Sequence, residues 1–457
     1  MKRSRLSDTK FLTLVAALLA SSIVASCGKP GDRYGSSTYR IPWPSATGAM
    51  SLQNVEIPTL SDPEHFSGSS AQILVEPGDG GGTLAAARPV GRYVKTSSGV
   101  LVPVDYVTIQ AVTAYAHQER LREVDTSVGV VDVLSWPLSI GIDVHLMSFD
   151  QVSTNNAVYD AKLNSLLLVP YDEGDLPISL NPGILAHEHF HFIFQKIVMS
   201  RVHDSSSQTS CAGGVAVGAV DRADSRADNR ADNQKATSPA KDERADNETQ
   251  LEKTAAGMPA KTYNAFVLRA MNEGFADFYG WLYAHDDSFL AKSLPDQDEM
   301  RRLDRVAGRL PPESLVRRLL VDNFHPDKIL PEVVRSHNAY VLGTVYARFL
   351  RHLAAQLEVG GLSPSDARLM VARALMASLP AIADLVTSTY ENGYLSPNAV
   401  LKPLLANLPA LSKDGCASLT QFRAPEASFV MPAACAAATT TSTTATAAPA
   451  TTVEVTK

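Results

Sequence analysis

His187, Glu188 and His191 fall in the pattern HExxH, read here as His187-Glu188-His189-Phe190-His191. On a helix, residues four positions apart lie about 40° apart around the axis, since each residue turns about 100°. Two imidazoles so placed can chelate one divalent cation, with Glu188 beside them, within reach of a water on that cation. The flanking sequence favours the helix. Pro182 suits a first turn whose amide has no partner, and Asn181 or Ser179 can cap it. His189 points roughly 160° away from the other two histidines, so it reads as packing or as a group behind them.

A second chemical pattern lies downstream, in Arg269-Ala270-Met271-Asn272-Glu273-Gly274-Phe275-Ala276-Asp277-Phe278-Tyr279-Gly280, within a stretch of helical periodicity from about 261 to 283. Glu273 and Asp277 are four apart, so both carboxylates share one helical face. A His₂Glu zinc site needs one carboxylate on the metal and an open position for water. Its imidazoles also need acceptors on their other ring nitrogens. Glu273 suits the first role and Asp277 the second. Met271, Phe275, Phe278 and Trp281 around them argue against a fully solvated acidic face.

An HExxH helix followed by an NExxxDxxG helix resembles the gluzincin metallopeptidases, the thermolysin-like branch in particular. The resemblance extends upstream, where Asn155-Asn156-Ala157-Val158-Tyr159-Asp160 is similar to that branch's Asn-Ala-aromatic edge strand. It implies that Asn156 and Ala157 hold the backbone of a bound peptide. It also implies a transition-state stabiliser near the start of a third helix, for which Ser336-His337-Asn338-Ala339-Tyr340 offers two candidates. His337 matches the thermolysin-like pattern, and Tyr340 matches other gluzincins. The mechanism expected of this set is hydrolysis of a peptide bond with Zn²⁺ held by His187, His191 and Glu273. Glu188 is the general base, and His337 or Tyr340 helps carry the developing oxyanion.

The remaining sequence sets the compartment and the organisation. Lys2, Arg3, Arg5 and Lys10 precede an apolar core from Phe11 to Ala20, too short for a comfortable membrane span. Val24-Ala25-Ser26-Cys27 resembles a bacterial lipobox, which implies cleavage before Cys27 and acylation of its thiol, with Gly28 favouring the outer membrane. Of the other cysteines, Cys416 and Cys435 form the natural disulfide pair in an exported protein, leaving Cys211 as an odd thiol. Residues 203–257 carry the repeat Arg222-Ala223-Asp224, Arg226-Ala227-Asp228, Arg230-Ala231-Asp232 with few apolar groups, and read as a disordered insertion. A net charge of −7 argues against a nucleic-acid partner.

The fold class expected is therefore α+β: a gluzincin-like pair of subdomains, a mixed sheet and helix half followed by an all-helical half. The expected segments are a signal peptide over 1–26, a tether with short strands over 27–104 and an α/β subdomain over 105–202. The insertion over 203–257, a helical subdomain over 258–412 and a Thr/Ala-rich disordered tail over 413–457 follow. Within these, helices are expected at 107–122, 296–307, 313–322, 331–357, 364–378, 382–390 and 398–405. The function expected is a monomeric, lipid-anchored zinc endopeptidase of the bacterial envelope, acting on a peptide or protein. Two alternatives stay open: a catalytically silent surface lipoprotein that keeps the fold for binding, and a zinc hydrolase of non-peptide amides.

Overall fold

Apolar runs separated by turn residues build the first half of the chain into two small sheets. In the computed structural model, the described residues are 37–424 without 46–47, 76–87, 149–150, 153, 173, 203–240, 323–324, 326, 392, 410 and 412, together with 435. Strands β1 (Thr38–Pro44) and β2 (Met50–Glu56) form an antiparallel hairpin. β1 also pairs parallel with β5 (Leu101–Pro103), and β4 (Tyr93–Lys95) completes the order β2-β1-β5-β4. The second sheet has the order β3-β6-β10-β9, from β3 (Ala71–Val75), β6 (Leu138–Ile142), β9 (Ala157–Asp160) and β10 (Ser165–Leu168). Met147–Ser148 (β7) and Gln151–Val152 (β8) form a short separate hairpin. β10 is buried along its whole length, as expected of a strand covered on both faces. β9 runs antiparallel at the edge.

The segment expected to be a tether is thus more than that. Residues 38–75 and 93–103 form a whole sheet and, through β3, one edge of the second. The reason is long-range pairing: β3 lies parallel to β6, with Ala71 opposite Leu138, and no local pattern reveals that register.

Helix α1 (Tyr106–Val128) runs beyond the expected 107–122, starting at an Asp105 cap and ending at Gly129 in the left-handed region, φ 82°. Its buried His117 stacks on Trp43 at 4.3 Å and places Nδ1 2.8 Å from the Tyr283 hydroxyl. Burial pulls the His117 pKa from 6.5 down to about 3. The sign follows directly: below about pH 6.5 the unfolded chain takes up a proton that the folded chain refuses, so stability falls with pH. We expect a contribution of about 1.4 kcal/mol per pH unit between those limits. Urea titrations at several pH values should show a shallower acid slope in His117→Gln; equal slopes would remove His117 from the account.

Helix α2 (Pro182–Ile197) carries the HExxH residues. Its cap is Asn181, whose Oδ1 accepts from the Gly183 and Ile184 amides at 3.0 and 3.2 Å. Ser179 lies two residues earlier and instead donates to Gln110 Oε1 at 2.6 Å.

Residues 241–256, expected to be disordered, form helix α3 (Lys241–Ala256). Lys, Glu, Gln and Ala are strong helix formers. The apolar pair Leu251 and Ala255, one turn apart, is buried, and Arg318 pairs with Glu248 at 2.7 Å. The repeats at 222–232, like the leader with Cys27 and the odd Cys211, lie outside the described residues.

Helix α4 (Ala260–Ala284) is the central element and packs on both α2 and the long α7 (Glu332–Val359). Glycine permits the contact with α7. A Cβ at Gly274 would lie 2.2 Å from the Gly343 carbonyl oxygen, and one at Gly343 would lie 2.8 Å from the Ala270 carbonyl oxygen. Short helices α5 (Pro295–Arg301) and α6 (Glu313–Arg318) lie between them in sequence. α8 (Pro364–Thr389) is continuous through Pro380, where two helices were expected; Val371, Leu375, Leu379, Ile382 and Val386 bury one face across the proline. It is long and apolar enough to cross a membrane, but it packs on α7 as a core helix.

α9 (Leu401–Ala406) and α10 (Lys413–Phe422) follow, so the start of the expected tail is helical. α10 is held by stacking of Phe422 on Phe349 and by the disulfide between Cys416 and Cys435. The architecture is mixed α+β, with a sheet-containing first part and a helical second half.

Candidate metal centre

Helix α2 brings the two imidazoles face to edge, with their Nε2 atoms 3.2 Å apart. Helix α4 brings Glu273 to them: its Oε2 lies 3.4 Å from His187 Nε2 and 3.9 Å from His191 Nε2. Separations of ~3–4 Å are what a tetrahedral ion with ~2 Å bonds requires of its ligand atoms.

The other ring nitrogens decide which charges face the centre. His187 Nδ1 lies 3.0 Å from Asp277 Oδ1, and His191 Nδ1 lies 3.0 Å from Asn272 Oδ1. Both acceptors come from α4, flanking Glu273. Each imidazole donating through Nδ1 turns an Nε2 lone pair inward, towards a carboxylate oxygen that is itself buried without a hydrogen-bond partner. Three acceptors then converge on one point, where a divalent cation would satisfy all of them. Ligand atoms of His187, Glu188 and His191 also lie within 4.8 Å of one another. Glu188 Oε2 accepts from the Tyr159 amide at 3.0 Å, which ties that carboxylate to the edge strand beside the cluster.

Asp277 is locked in turn. Arg301, the last residue of α5, donates Nη2 to Asp277 Oδ1 at 2.5 Å and Nε to Oδ2 at 3.2 Å, a forked pair buried on both sides. The same guanidinium lies 4.6 Å from the centre of the Tyr340 ring. His189 faces away from the centre. Gln118 donates to its Nδ1 at 2.7 Å, its Nε2 meets Asp125 Oδ2 at 2.8 Å, and the Tyr279 hydroxyl donates to Asp125 Oδ1 at 2.5 Å. This buried network ties α1, α2 and α4 together behind the ligands.

The electrostatics follow from burial and these partners. Burial pushes Glu188 up to about 7, with Glu273 adding to the rise and His187 opposing it. Burial alone would lower His187, but the Asp277 and Glu273 carboxylates hold it at about 9. Burial lowers His191 to about 4. Glu273 and Asp277 stay below the usual carboxylate range despite burial, Glu273 chiefly because of His187 and Asp277 chiefly because of Arg301.

The other sequence candidates divide. Tyr340 is buried beside Arg301, and burial, with Glu273 and Glu188 nearby, pushes its hydroxyl well above its usual value. His337, three residues earlier, is exposed. Asn156 and Ala157 are buried at the start of the edge strand β9, with the Asn156 carbonyl accepting from Val169 on the β10 side at 3.1 Å. Since alternate residues of a strand turn their backbone groups to opposite edges, those of Ala157 and Tyr159 face outward, and Tyr159 meets Glu188 there. Sequence reasoning missed Arg301 and the role of Asn272, although Asn272 stands next to Glu273 in the same motif.

No protein-family model matches the chain, and no curated protein matches it. The functional reading stands on the geometry of this centre.

Proposed function

We propose that the protein is a zinc-dependent endopeptidase of gluzincin type, with its site between the outward edge of β9 and the α4–α7 helices. The observation that carries this reading is the convergence of His187 Nε2, His191 Nε2 and Glu273 Oε2, with Glu188 beside them and held by a strand amide. When bound, zinc supplies Lewis acidity that polarises a carbonyl and acidifies water towards a pKa of ~7. A peptide adds to the β9 edge through the outward groups of Ala157 and the Tyr159 carbonyl. Glu188 accepts the proton of the attacking water and passes it to the leaving amine. Tyr340, kept protonated, donates to the developing oxyanion in preference to the exposed His337. Asp277 and Asn272 keep both imidazoles in the tautomer that offers Nε2.

The basic leader ending in Cys27 supports export and acylation, and Gly28 after it favours the outer membrane of a bacterial envelope. The test joins metal analysis to hydrolysis. Purified protein should carry about one zinc per chain, cleave casein or a peptide library, lose activity to a chelator and regain it with zinc. Glu273→Gln should lose the metal. Zinc bound without cleavage of any peptide would leave a binding protein instead.

A further inference from the structure

Two further guanidiniums, both on α7, hold the short helix that delivers Arg301 to the centre. α5 spans seven residues, Pro295–Arg301, too few to stand as a helix by itself. Leu294 and Leu303 are buried on either side of it, but within the helix the buried residues are Gln297 and Arg301. Apolar packing therefore ties down its flanks and leaves its rotation to polar contacts. The last carbonyls of a helix have no partner inside it. Here Arg348 of α7 serves them from outside: Nε donates to the Arg302 carbonyl at 2.7 Å and Nη2 to the Met300 carbonyl at 3.0 Å. One guanidinium thus grips the backbone on both sides of Arg301. Three residues on, Arg351 donates Nε and Nη2 to the Asp287 carboxylate at 3.1 and 3.0 Å. The Asp287 carbonyl in turn accepts from the Leu303 amide at 3.0 Å. The Arg301 side chain runs to the Asp277 fork, with its guanidinium against the Tyr340 ring. α7 so holds Arg301 at both ends.

We propose that Arg348 is a positioning residue for the metal centre: its grip on Met300 and Arg302 fixes the rotation of α5 that aims the Arg301 fork at Asp277. The relay is short, and every link is a hydrogen bond. Arg348 sets the backbone of Arg301, Arg301 sets Asp277, and Asp277 sets the His187 ring through Nδ1 at 3.0 Å. A forked pair depends on the plane of both groups as well as their distance, so a small rotation of α5 costs one of its two bonds. The Asp277 carboxylate then tilts, and with it the imidazole that offers Nε2 to the cation. The inference deepens the metal-centre part of the reading given above and needs no step of peptide hydrolysis.

Zinc affinity of the full chain, read by competition with a chelator, tests this without any substrate. Arg348→Met keeps an apolar stem and removes both donors. It should bind zinc about threefold to tenfold more weakly, less than the 10–100-fold typical of losing a direct partner of a ligand. With cobalt in place of zinc, its visible absorption should differ from that of the wild type, because the signal follows ligand geometry. A role confined to holding the fold would move neither readout in a chain that urea titration shows to be folded. The sharpest comparison is in the Arg301→Met, Asp277→Asn background, where the relay is already cut. Adding Arg348→Met there should leave zinc affinity unchanged. Arg348→Lys keeps the charge without the fork and should fall between wild type and Arg348→Met. Wild-type affinity in Arg348→Met overturns the proposal, as does an equal loss in the cut background. If the Met chain does not fold, wild-type affinity in Arg348→Lys has the same force. A wild type that binds no zinc removes the centre itself and this proposal with it, whereas zinc bound without peptide cleavage leaves the proposal standing on these measurements.

Discussion

Glu188→Gln should lower peptide hydrolysis by about 10²–10⁴-fold, the usual contribution of a positioned general base, while zinc content stays as in the wild type. The substitution is nearly isosteric, and the amide can still accept from the Tyr159 N–H, so the edge strand keeps its contact with α2. What disappears is the proton acceptor. Burial raises the Glu188 carboxyl to about 7, and a divalent cation nearby would pull it lower. Because only the ionised form accepts a proton, wild-type kcat/KM should rise with pH through a limb at or below about 7. The residual activity of Glu188→Gln should lack that limb. Metal analysis on the same preparations separates the roles: a Gln variant that has also lost zinc would mark Glu188 as a ligand. One that keeps wild-type activity would remove it from the mechanism.

Much of the centre was legible because its chemistry is local. The histidine pair, Glu188 and the capping Asn181 lie within eleven residues of one helix, and Glu273, Asn272 and Asp277 within six of another. Helical spacing alone puts each set on one face. Arg301 was not legible, since it ends a seven-residue helix 24 positions beyond Asp277, and only tertiary folding brings the two together. The choice between His337 and Tyr340 was open for a related reason. Three residues apart on a helix, they share a side, and only the packing of α7 on α4 determines which is buried. The sheets were hardest to read, because β3 meets β6 and β1 meets β5 across long intervening segments. α3 escaped because its composition is that of a solvated chain, and what ties it down is tertiary: the buried Leu251 and Ala255 and the pairing of Glu248 with Arg318.

Arg301→Met should destabilise the protein by about 3–5 kcal/mol at neutral pH, the usual consequence of leaving one member of a buried ion pair without its partner. Arg301 donates twice to Asp277, and both residues are nearly inaccessible to solvent. With methionine in place, the Asp277 carboxylate keeps only His187, and burial then drives its pKa up instead of down. The sign of the pH dependence follows. Wild-type Asp277, held low chiefly by Arg301, contributes stability above the unfolded carboxylate value that is lost as the pH falls through its folded value. The variant gains nothing from ionisation, so the gap between the two should narrow as the pH is lowered into the carboxylate range. Urea titrations at neutral and acid pH measure both. The double variant with Asp277→Asn removes the stranded charge and should recover most of the stability. Its His187 then faces an amide in place of a carboxylate, and zinc affinity should stay about 10–100-fold below wild type. Stability returning while affinity does not would separate the fold's need for the pair from the metal's need for it. A single variant as stable as wild type at neutral pH would show that the pair has no such role.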